Sequence, residues 1–159
     1  MRSGGAVEQL LGEGMAFFEI SKPRDMLDKA KREHARLIQS LDIDNVFNFF
    51  ITVYHIKDYV EKSGSVLQAD LDLFLSDKSI KACRDLCDKG KHMRLTQKGR
   101  NDPSTVAYSG TLSGAPLGSL VLSGGDKWLV FCGSDEFDIE LLANDAIKKW
   151  DSFFQRHGL

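Results

Sequence analysis

Apolar side chains recur every three to four residues through most of this chain, and the rhythm breaks once, between Gln97 and Gly133, before resuming. Residues 6–20 place Val7, Leu10, Leu11, Met15 and Phe18 at helical spacing, although Gly12 and Gly14 weaken the run. Pro23 suits the first turn of a second helix, where its missing N–H has no partner to lose. The apolar stripe there is Met26, Ala30, His34, Leu37 and Leu41, opposite Arg24, Asp28, Lys31, Arg32 and Gln39. A third helix, capped by Asp42 or Asp44, runs to about Lys62, with Gly64 in the left-handed position that ends it. Val46, Phe47, Phe49, Phe50, Ile51, Val53, Tyr54, Ile56 and Val60 cover most of its circumference, which predicts the centre of the core. A short segment over 66–75 reads as helix. Another helix starts at Ser76 or Ser79, turns Ile80, Cys83, Leu86, Cys87 and Gly90 inward, and ends between Gly90 and Leu95.

The interval after it is rich in Gly, Ser and Thr. Residues 105–112, 119–123 and 127–132 read as strands, the last two meeting across Gly124-Gly125-Asp126, a hairpin signal. The final helix is expected from Ser134 or Asp135, burying Ile139, Leu142, Ala146, Trp150 and Phe153. The predicted fold is mainly α: a bundle of about five helices with an antiparallel β-hairpin inserted before the C-terminal helix. With no internal repeat or low-complexity tract, residues 1–159 read as one domain, with 97–133 as a β-rich insertion.

Composition removes several classes of function. In 159 residues, 42% hydrophobic and 28% charged, the balance is that of a globular domain rather than a disordered or fibrous chain. The net charge of −2 gives no bulk attraction to nucleic acid or anionic lipid, so such binding needs a local patch. Asn48, Thr52, His55, Lys57 and Asp58 interrupt the most apolar stretch, which argues against a membrane span. Three cysteines and an N-terminus without an apolar signal region lead to the expectation of a reduced, cytoplasmic setting. No cofactor is expected, since the loops at 113–118 and 124–126 lack the lysine and following helix of a phosphate-binding loop.

Chemistry concentrates on two helices. Asn45, Asn48, Thr52, His55 and Asp58 or Tyr59 fall on one face of the apolar third helix. Short polar groups there imply a semi-buried seam in which each needs a hydrogen bond, and His55 with Asp58 a turn away is a candidate acid–base or metal-ligating pair. On the Ile80 helix, Arg84, Asp88 and His92 form a ladder at intervals of four, flanked by Lys81 and Lys91. Asp88 is positioned to orient His92. Lys89, Lys91, Arg94, Lys98 and Arg100 then make the one local basic run, of which Lys89, Lys91 and Arg94 are candidate phosphate contacts. Each pattern has a plain alternative: a solvated face for the ladder and the run, a satisfied core histidine for His55. Cys83, Cys87 and Cys132 have zinc-ligand chemistry, but the first two lie on the apolar stripe and read as small core residues. A metal held by His55, Asp58 and His92 is a further candidate.

The strings from Phe47 to Tyr59 and from Cys83 to His92 resemble a group of small bacterial proteins of no established activity. That group pairs a buried helix bearing His-x-x-Asp with a helix ending in Lys-His, then a hairpin and a last helix with a Trp near its end. At the level of architecture the bundle also resembles the HEPN superfamily, many of whose members are metal-independent ribonucleases using an Arg and a His across a dimer interface. That resemblance implies Arg84 and His92 as the matching residues, here separated by seven positions where the family's motif has four to six. Two readings follow. One is a protein acting on or binding RNA or another nucleic acid, with His92, Arg84, Asp88, His55 and Asp58 as its candidate catalytic residues. The other is a non-catalytic module that binds a protein partner or forms a homodimer.

Overall fold

The computed structural model describes residues 19–92, 95–108 and 127–159. Five helices, α1 (Pro23–Gln39), α2 (Ile43–Ser63), α3 (Gln68–Leu75), α4 (Lys78–His92) and α5 (Ile139–His157), and three strands, β1 (Ser104–Tyr108), β2 (Lys127–Cys132) and β3 (Asp135–Asp138), make up this part. The fold is therefore a helical bundle with an antiparallel hairpin, β1–β2, ahead of the last helix. The helix predicted over 6–20, the strand over 119–123 and the Gly124-Gly125-Asp126 turn lie outside the described residues.

Local chemistry sets the helix ends. Asp25 accepts the amides of Ser21 and Lys22 ahead of α1. Asp42 accepts from the Asn45 amide at 2.9 Å to cap α2, and Gly64, at φ 63°, closes it. Asp77, rather than Ser76 or Ser79, caps α4, accepting from the amides of Ser79 and Ile80. α4 runs through Gly90 to His92, and the missing side chain has a use. A Cβ there would lie 2.7 Å from Cε2 of Phe47, so glycine admits the α2 ring against the α4 backbone.

α2 touches all four other helices, as its nearly continuous apolar sequence requires. Phe49, Phe50, Val53, Ile56 and Val60 are buried along it. At the α3–α5 side, Phe74 lies 4.4 Å from Trp150 and 4.6 Å from Phe153, ring centre to ring centre. Within the inserted region, β2 packs on α5 and sends Val130 and Cys132 into the core.

One boundary departs from the sequence pattern. Residues 135–138 are not the start of the last helix but the edge strand β3, paired antiparallel with β2 from Cys132↔Asp135 to Leu129↔Asp138. Gly133, at φ 65°, makes the tight turn that reverses the chain. Asp138 then ends the strand and caps α5, accepting from the amides of Glu140 and Leu141.

Candidate functional site

The polar stripe of α2 reaches α4 at a single point, where His55 meets Lys91, the lysine that flanks the Arg84–Asp88–His92 ladder. Ile51 O lies 2.6 Å from His55 Nδ1, and Lys91 Nζ lies 2.7 Å from Nε2. A carbonyl only accepts and an ammonium only donates, so both contacts are satisfied by one tautomer: the proton on Nδ1, the lone pair on Nε2 facing Lys91. Asp58 Oδ2 stands farther off, 3.9 Å from Nε2, while its other oxygen takes a 2.7 Å contact from Lys57. Burial draws Lys57 down, and the Asp58 carboxylate more than reverses this, holding the ammonium above its ordinary value. The same Lys57 sits 5.4 Å above the Tyr54 ring.

The remaining candidates are distributed differently. His92 is exposed at the end of α4, with no hydrogen bond or ion pair among the described residues. Asp88 does not orient it; its carboxylate lies 3.1 Å from Arg100. Arg84 gives Nε and Nη2 to Asp85, at 2.9 and 2.8 Å, and Nη2 also donates to Gly99 O. Eight positions of helix put Arg84 and His92 about 12 Å apart along the axis, so Arg84 belongs to different surroundings. In the basic run, Lys89 pairs with Asp102 at 2.7 Å, and Arg94 lies outside the described residues. Within the α2 stripe, Asn45 donates to Ser40 O at the end of α1, Asn48 is exposed, and Thr52 accepts from Lys29. His34 turns to Asn144 of α5, at 2.7 Å, rather than toward His55.

Three groups escaped the sequence reading. Asp85 is buried between Arg84 and Arg100. Glu33 is buried with Lys29 and Arg36, each at 2.9 Å; its position, three after Ala30 and four before Leu37 on the apolar stripe, was the signal available. At the start of α4, Lys149 bridges Asp77 and Asp145 at 2.8 and 2.7 Å, with the Ser79 hydroxyl among them. Burial would raise Asp77, but Lys149 and Ser79 outweigh it and hold the carboxyl at about 2. Burial likewise opposes the charge on Lys149, and its two carboxylates overcome that and raise it. A lysine so held is an ammonium and not a base for Ser79, which makes this a structural clamp between α4 and α5.

The cysteines are free and buried. Burial pushes the Cys87 thiol up to about 11 and Cys132 to about 12, and raises Cys83 as well, so none has thiolate character. Cys87 Sγ comes within 3.8 Å of His55 Nδ1, a nitrogen already engaged with Ile51 O. No group of three His, Cys, Asp or Glu suited to a metal ion occurs among the described residues, so His55, Asp58 and His92 are not gathered as ligands. Nor is any described helix long and apolar enough to cross a membrane. Comparison with family models, with characterised proteins and with solved structures finds no match to this chain.

Proposed function

We propose that the protein is nucleic-acid-directed and acts on, or holds, an RNA phosphate at the seam of α2 and α4. The observation that carries this reading is the contact of Lys91 with His55 Nε2. An imidazole lone pair and an ammonium stand at one point of the surface, and the exposed His92 follows Lys91 in the chain. In a cleavage reaction, Lys91 turns to the non-bridging phosphate oxygens and frees Nε2. His55 then takes the proton of the ribose 2′-hydroxyl as its oxygen bonds to phosphorus, and His92 protonates the departing 5′-oxygen. Asp58 supports His55, and the setting is cytoplasmic. The HEPN-like pairing of Arg84 with His92 is the weaker form of this idea, because Arg84 is committed to Asp85 and Gly99.

A second reading, a non-catalytic partner-binding or homodimerising module, is favoured by how far the polar groups satisfy one another. Arg84, Asp85, Asp88, Arg100, Lys89 and Asp102 close into internal ion pairs, with Arg100 Nη1 the one buried atom among them that lacks a hydrogen bond. Cleavage of single-stranded and hairpin RNAs by wild type, His55→Ala and His92→Ala separates the two. The first reading expects losses of about 10²- to 10⁴-fold in the variants. No cleavage or retention of RNA by the wild type, or equal cleavage by all three, sinks it and leaves the module.

A further inference from the structure

Arg84 faces a cleft of about 470 Å³ between α4, the β2–β3 edge and the segment around Gly99–Asn101. We infer that this cleft is a binding site for a small phosphomonoester bearing a flat ring, of the nucleoside monophosphate kind, separate from the His55 seam. The size lies within the range of small-ligand pockets, roughly 300–1,000 Å³. Its walls carry Lys78, Lys81 and Arg84 against Asp85 and Asp135. Asp135 is paired with Lys78 at 2.7 Å, and Asp85 lies between Arg84 and Arg100, so both anions are neutralised within the protein. The excess is cationic.

The cations differ in their freedom. Lys81 is exposed one turn before Arg84, and forms no ion pair among the described residues. Arg84 is fixed: Asp85 and the Gly99 carbonyl hold Nε and Nη2, leaving Nη1 for an incoming oxygen. A rigid planar donor beside a mobile ammonium is an arrangement suited to a terminal phosphate, the guanidinium supplying direction and the lysine charge. The cleft also has an apolar wall, the half-buried ring of Phe137, which gives a base a surface to lie on. Asn101, which lines the same cleft, offers an amide for the polar edge of that ring.

The test is titration of the full chain with adenosine monophosphate, adenosine and inorganic phosphate, followed by calorimetry or by the amide resonances around Lys81 and Phe137. The monophosphate should bind saturably, and adenosine and phosphate each about tenfold or more weakly, since each lacks half of the contacts. Lys81→Glu and Lys81→Ala, at an exposed helix position, should both weaken monophosphate binding by about tenfold or more. Lys148→Glu, on exposed α5 surface, should leave it unchanged with melting temperature held. Absence of saturable monophosphate binding, binding no tighter than that of adenosine, or affinity unaltered in both Lys81 variants would overturn the assignment.

Discussion

The two ends of α4 are each held by a lysine, and they are held in opposite ways. At the first turn, Lys149 of α5 lies between two carboxylates and the Ser79 hydroxyl, so its charge is more than matched. At the last turn, α4's own Lys91 reaches a neutral lone pair on His55, and the Asp58 carboxylate beside that histidine is paired with Lys57. The contact lengths are alike. What differs is residual charge: the first end is closed upon itself, whereas the second keeps a cation that an outside anion can still recruit. A short polar contact therefore says little about function until the charges around it have been matched.

The sharpest way to test this contrast is the middle of the same helix, where matching is most complete. Asp85→Ala leaves Arg84 and Arg100 facing each other without their buried carboxylate, and should cost about 3 kcal/mol in denaturant unfolding. A loss below about 1 kcal/mol would mean that the arginines find water instead. Next in size, Lys149→Ala leaves Asp77 and Asp145 opposed and should cost about 2 kcal/mol, reduced from the buried-pair figure because all three side chains are about a third exposed or more. Lys91→Ala, by contrast, should cost less than about 0.5 kcal/mol. Equal losses at the two ends would erase the distinction between them.

Acid titration gives a smaller effect with a definite sign. The Asp77 carboxyl sits at about 2 in the folded chain against an ordinary 3.8, so between these values the unfolded chain binds more protons. Its contribution is complete above about pH 4 and is lost as pH falls through 2. Discounted for solvent screening, it amounts to about 1 kcal/mol, and Asp77→Asn should remove that step from the pH–stability curve. A wild-type curve flat over this interval would contradict the clamp. The smallest expected effect is Gly90→Ala. The new methyl displaces the exposed Phe47 ring while the helix gains propensity, so the net change should lie within about 0.5 kcal/mol. In a Phe47→Ala background, where no ring is in the way, the same change should stabilise by about 0.5–1 kcal/mol. Identical effects in both backgrounds would show that the ring is not what glycine accommodates.

Much of the bundle was legible because its signals are local. α2 announces itself through a nearly continuous apolar run, an Asp cap and a closing glycine, all within 23 positions of one another. Strand β3 carried no such signal. Asp-Glu-Phe-Asp has no alternation and only Phe137 as a strand former, and it becomes a strand because Gly133 folds it back onto β2. The same distinction runs through the polar groups. His55 was conspicuous as a polar residue on an apolar helix, but its partner, 36 positions away, could not be read from spacing. Asp77 and Lys149 are 72 apart, and neither looks unusual alone. The seven-residue interval from Arg84 to His92 promised a pair that the rise of a helix keeps apart.

Asp138 ends β3 opposite Leu129 and caps α5 without an intervening loop. A residue whose backbone closes the strand and whose side chain caps the helix gives neither element a place to fray from the other. Sheet and last helix should therefore open as one cooperative unit in native-state hydrogen exchange, with the β2 and α5 amides sharing one opening free energy and responding together to a substitution in either.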